Sequence, residues 1–148
     1  MARVDYSAIE DAIEAVLKAD ANLAGVKYLV EEELVMGTGD IIGIYLENRN
    51  APEGMQSVSA GKRTRFLIQF SIWCWHFGIA KNKRLVMEKR DDLLGKAEIA
   101  LMGNRNLNNT VNTSWLEGGE FESGKDASSQ QFMSGGQIIL TVDAIAVG

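Results

Sequence analysis

One cysteine, one histidine and one proline are all that the 148 residues contain of those three types. A lone Cys74 excludes an intramolecular disulfide and a multi-cysteine metal site. Cys74 and His76 stand two apart in an alternating segment, so they share a strand face, yet carboxylates alone remain to complete a metal site with them. A buried thiol and a strand-end imidazole explain the pair better than a metal site or a Cys–His nucleophile does. The lone histidine has no spaced partners for a Ser/His/Asp arrangement, and the carboxylates are too scattered to nominate a paired general acid and base. No apolar run approaches the ~20 residues that cross a bilayer. The N-terminus, MARVDYSAIED, carries acids where a signal peptide needs an apolar core, so the sequence predicts no export. The remaining composition, 46% hydrophobic and 24% charged, is that of an ordinary globular chain, and the length suits one domain spanning residues 1–148.

Phosphate-binding loops are also missing. The segment 119–126, GEFESGKD, falls one residue short of a Walker A loop and ends in Asp126 where magnesium needs a hydroxyl. Glu120 and Glu122 would set negative charge beside phosphates, and no predicted helix follows, so the segment reads as a turn. Gly37-Thr38-Gly39 has Ile42 where the third glycine of a dinucleotide loop belongs, and a strand follows it. No cofactor is expected.

What the chain does have is a long alternating run, TRFLIQFSIWCWHF, from Thr64 to Phe77. Period two predicts a strand with Phe66, Ile68, Phe70, Ile72 and Cys74 on one face. The other face begins polar at Gln69 and Ser71 and turns aromatic at Trp73, Trp75 and Phe77. A face open to water would stay polar, so this end of the strand needs cover from within the chain or from another subunit.

Around that strand the pattern predicts an α+β fold: a single mostly antiparallel sheet with two main helices packed on one face. Ser7-Ala8-Ile9-Glu10 reads as a capping box opening a helix to about Asp20. Val26–Val30 and Leu34–Met36 read as short strands broken by Glu31, Glu32 and Glu33. Leu34–Met36 and Ile41–Glu47 flank a Gly37–Asp40 turn and should form a hairpin. Asn48–Lys62, with the one proline at Pro52, reads as a long flexible loop that orders on contact with a neighbour. Gly78 should end the long strand. A helix over about Ile79–Met102 should bury Val86, Leu93, Ala97, Ala100 and Leu101. Asn104–Asn109 reads as turn, Val111–Leu116 as strand, Glu117–Gly124 as turn, and Gln137–Val147 as a final strand.

Charge is unevenly distributed along the chain. Residues 1–60 carry a net −7, residues 61–110 a net +6 and residues 111–148 a net −4. Opposite signs on different sides of a subunit suit head-to-tail association. The contact residues this points to are the basic Lys62, Arg63, Lys83, Arg84 and Arg90 and the aromatic Trp73 and Trp75. The basic clusters could also meet phosphates, though any DNA contact would be independent of sequence. A second reading is a binding module for a small molecule or peptide, with Trp73, Trp75 and Phe77 lining a pocket.

The element order has a resemblance. The helix YSAIEDAIEAVLKA, the strand DIIGIYLE, a long loop, the strand TRFLIQFSIWCW, the helix KRLVMEKRDDLLGKAEIAL and the closing strand GQIILTVDAIAV together resemble the tail terminator and tail-completion proteins of tailed bacteriophages. The resemblance spans nearly the whole chain and lies in pattern, length and order. It implies a non-enzymatic virion protein, assembled in the host cytoplasm, that forms a ring, commonly a hexamer, on the end of the tail tube. It implies the tail tube protein and the head–tail connector as partners, with DNA passing through and no membrane.

Overall fold

Helix α1, Tyr6–Lys18, starts two residues earlier than the Ser7 capping box predicts. Asp5 is its N-cap, with Oδ1 accepting from the Ala8 N–H at 3.0 Å. Ser7 lies inside the first turn, and Glu10 does not reach back to cap. It falls on the stripe of Ile9, Ile13, Val16 and Leu17 and is buried with them. The computed structural model describes residues 4–35, 37–50, 63–126 and 130–147, and of 63, 64 and 145–147 the backbone alone.

Six strands follow in one mixed sheet: β1 Lys27–Val30, β2 Gly39–Asn50, β3 Arg63–Ile79, β4 Thr113–Glu117, β5 Phe121–Asp126 and β6 Gln131–Val147. Their order is β1-β2-β3-β6-β4, with β5 also paired to β6. Since β3 occupies one edge of β6 from Gln131 to Val147, β4 and β5 share the other edge in succession. Every pairing is antiparallel except β1 with β2. Helix α2, Lys83–Met102, lies between β3 and β4 after a short 3-10 turn at Ala80–Asn82.

The hairpin expected across Gly37–Asp40 does not form. Among the described residues, 31–35 are not in a strand, and β1 runs parallel to β2 with Lys27 opposite Ile41. Glu31 takes a left-handed φ of 54°, which turns the chain out of β1 before the acidic triplet. The strands also run longer than the pattern predicts. Gly78 continues β3 opposite Phe132, and β6 begins at Gln131. Asn48–Asn50, assigned to the loop, continue β2 opposite Leu67–Gln69. The rest of that loop, residues 51–62, lies outside the described residues. β5 was expected as turn, because FESGKD has no apolar alternation.

Side chains of successive strand residues point to opposite faces. Ile68, Phe70, Ile72 and Cys74 are fully buried in one core with Ile42, Ile44, Leu140 and Val142. The buried residues of α1 and the α2 residues Leu93, Ala97 and Leu101 belong to that same core. Val86 of α2 meets Gly78, where a Cβ would lie 2.6 Å from its Cγ2. Trp75, Phe77, Ile41 and Leu29 form a separate cluster, with Leu34, Tyr45, Trp73 and Met133 packed against it. No described helix is long and apolar enough to cross a membrane.

Candidate functional site

Alternation along β3 places Trp73 and Trp75 side by side on the face opposite Cys74. Their rings stack at 5.9 Å with an interplanar angle of 5°, and Tyr45 of β2 meets Trp75 edge-on at 6.4 Å. The indole of Trp75 lies flat because two neighbouring strands carry glycine beneath it. A Cβ at Gly43 would come within 2.7 Å of Trp75 Cζ3, and one at Gly135 would overlap its pyrrole edge. Trp75 is only 5% exposed, and its Nε1–H has no acceptor among the described residues.

The aromatic rings floor an open cleft of ≈ 530 Å³. Leu34 forms a wall, and Glu31, Glu32, Glu33, Glu47 and Glu122 surround it. Three features hold the acids there. The Tyr45 hydroxyl donates to the Glu32 carbonyl at 2.7 Å, anchoring the segment after β1 over the sheet. The Leu46 N–H donates to Glu31 Oε2 at 2.6 Å. A bulge between Leu46 and Asn48 turns Glu47 out of register. Burial, with the Glu31 and Glu32 charges behind it, pushes the Tyr45 hydroxyl above its ordinary pKa. The surroundings of the cleft therefore oppose a further anion and favour a cation.

Of the residues singled out in the sequence, the cleft brings together Trp73 and Trp75 alone. Lys83 and Arg84 lie exposed at the start of α2. Lys83 Nζ sits 5.5 Å from the Phe132 ring centroid, and Arg84 pairs with Glu88 at 3.2 Å. Arg90 is turned inward. Its guanidinium donates to Asp91 at 2.7 Å and to Ser134 Oγ at 2.8 Å and covers the Phe121 ring at 4.4 Å. Arg63 opens β3 opposite Val147, and Lys62 lies outside the described residues. Cys74 is buried in the core, while His76 Nδ1 meets Asp40 Oδ1 at 2.6 Å.

Sequence reasoning missed Tyr45 and the acidic rim. The triplet Glu31–Glu33 was the available signal, but it was read as an interruption between strands. A smaller cavity of ≈ 260 Å³ lies between Leu101, Met102, Trp115, Leu116 and Leu140. Its one cation, Arg105, already donates to the Ser114 carbonyl at 3.0 Å. Among the described residues no group of three or more His, Cys, Asp or Glu side chains is placed to hold a metal ion.

No protein-family model and no curated protein matches the sequence. Solved structures do. The sheath/tube terminator of the extracellular contractile injection system PVC, in its extended state, superposes over 99% of this chain with a TM-score of 0.52 and 13% identity. This chain spans 58% of the length of that one. A chain of the native gene transfer agent virion matches over 92% of this chain and 95% of its own, with a TM-score of 0.41 and 11% identity. At this identity the first likeness is one of fold. It agrees with the tail-terminator resemblance of the element order.

Proposed function

We propose that this chain is a structural subunit of a tailed particle, a terminator that assembles head to tail into a ring on the end of a tail tube. In this reading the two helices cover one face of the sheet, and the other face, with its aromatic cleft, is left to a neighbour. The ring is a hexamer, its outer surface meets a head connector, and DNA passes through it without being read. The subunit acts in the virion, and its role is mechanical rather than catalytic.

The observation that carries the reading is the asymmetry of one subunit. An acid-rimmed aromatic surface lies opposite the Cys74 face of β3, while basic side chains crowd the start of α2. A contact between two unlike surfaces repeats around an axis and closes if the rotation allows. The shared fold with a protein described as a sheath/tube terminator supports the same conclusion. The small-molecule reading has the ≈ 530 Å³ cleft in its favour. A ligand pocket usually encloses most of its ligand, however, and this cleft is open along its length.

Light scattering after gel filtration, with negative-stain micrographs of the same peak, tests the proposal. A ring with a central opening, which also caps purified tail tubes, is the expected result. A protein that stays monomeric at high concentration and leaves tube ends bare overturns it.

A further inference from the structure

We infer that the acid-rimmed cleft is the socket for the basic start of α2 on the next copy of the chain. This inference rests on the ring reading and names the contact that would build the ring. The cleft offers stacked indoles beneath carboxylates. That combination fits a cation on an apolar stem, which is a lysine or arginine side chain.

The start of α2 has the complementary features. Lys81, Lys83 and Arg84 are exposed there within about one turn, and Ile79 and Leu85 flank them at 62% and 49% exposure. A helix N-terminus carries unmet N–H groups and a partial positive charge, and it normally recruits a capping oxygen or an acid. Here Asn82 makes no side-chain cap bond, and the first turn has no acidic residue. Three cations at the positive end of an uncapped helix raise its energy in the free subunit. A neighbour's Glu32 and Glu33 would supply the missing negative charge.

Position requires that the two surfaces meet between copies. Val86, one turn into α2, packs against Gly78 on the Cys74 face of β3. The cleft rests on Trp73 and Trp75 on the opposite face. A subunit therefore cannot insert its own α2 into its own cleft. The plug and the socket are different surfaces, so the contact is heterologous and propagates. The rim charges would select the partner and speed encounter, and the aromatic floor with Ile79 and Leu85 would supply most of the affinity.

Charge exchange tests this. K83E/R84E reverses the plug, and E32K/E33K reverses the socket while leaving the Glu32 carbonyl free for Tyr45. Circular dichroism should show both folded. Each alone should need at least about tenfold more protein to form rings at physiological salt, since reversed charges now repel across the contact. An equal mixture should assemble with alternating subunits, because each variant then offers the sign the other lacks. All four changes in one chain should restore self-assembly. If the wild type forms rings while K83E/R84E assembles at unchanged concentration and the mixture gains nothing, the contact lies elsewhere and only the socket assignment falls. If the wild type forms no ring, both readings fall together.

Discussion

Glu10 on α1 is buried within hydrogen-bonding reach of Glu31, the residue whose left-handed backbone takes the chain out of β1. Burial, the bond to Glu31 and then the charges of Glu31 and Asp11 push Glu10 from 4.5 up to about 8. Such a pair holds one proton between its members, because two adjacent carboxylates repel and one of them, Glu10, is buried. The unfolded chain releases that proton near pH 4.5, whereas the folded chain keeps it to about pH 8. The stabilisation is therefore complete below the lower value and is lost as pH rises through the upper one. Glu10→Gln mimics the protonated form. It should change little near pH 4 and should be more stable than the wild type above about pH 8, by on the order of 1 kcal/mol or more. Thermal melts across that range check this, and parallel curves for the two proteins would sink it.

Ile68 is fully buried at the centre of β3, between Arg49 on β2 and Val142 on β6. Ile68→Ala removes three carbons from a close-packed core and should cost about 2–5 kcal/mol. Urea denaturation should show a lower midpoint with an unchanged slope. A loss under about 0.5 kcal/mol would mean that the site collapses around the change or is not core.

The elements that the sequence revealed are those whose burial is periodic. Ile68, Phe70, Ile72 and Cys74 are buried as the alternation predicts, with Phe66 half-buried before them, and Val86, Leu93, Ala97 and Leu101 of α2 are buried at helical spacing, while Ala100, expected among them, is half-buried. The elements that it hid are held by contacts distant in sequence. β5 has no apolar pattern of its own and pairs with Gln131–Gly136, while Arg90, far away on α2, covers its Phe121. The parallel pairing of β1 rests on a backbone turn at Glu31, which no composition rule assigns to glutamate. Asp143 on β6, set among apolar residues in the sequence, is bridged at 2.9 Å by Arg65 of β3. At the cleft, Trp73 and Trp75 were visible as a face too apolar for water. The acids beside them were not, because the fold gathers them from three separate segments.

Gly135 and Gly43 make room for Trp75. Gly135→Ala places a methyl group inside the contact radius of the indole Cδ1 and Nε1. The ring must tilt, and the parallel stack with Trp73 is lost. The expected cost is about 1–3 kcal/mol, as for other overpacked sites. Near-ultraviolet circular dichroism should lose its coupled-indole signal. Placing the same change in a Trp75→Leu background should reduce the penalty, since the clash is then gone. An unchanged spectrum in Gly135→Ala would show that the stack tolerates the methyl group.

Cys74 is sealed in the core, and burial pushes its thiol well above the ordinary range. The thiolate is the reactive form, so the folded protein should resist iodoacetamide at mildly alkaline pH. Labelling should proceed only through unfolding, and its rate should rise with denaturant in step with the unfolded fraction. Prompt labelling of the native protein would place Cys74 on a surface.

Arg90 and Arg84 stand six positions apart on one helix and should behave differently when truncated. The Arg90 side chain is 12% exposed, with its guanidinium divided between Asp91, Ser134 and the ring of Phe121. Ser134 also bonds Ser123 of β5 at 2.9 Å, so the arginine holds β5 against β6 from below. Arg90→Ala removes a charged hydrogen bond, a cation–π contact and the packing of a long stem, which together should cost about 1–3 kcal/mol. Hydrogen exchange in Phe121–Asp126 should speed up before the rest of the sheet opens. Arg84 is 93% exposed, and its partner among the described residues is Glu88, a surface pair worth at most about 1 kcal/mol. Arg84→Ala should leave the melting temperature nearly unchanged and act on assembly instead. Equal losses of stability for the two variants would contradict the inward placement of Arg90.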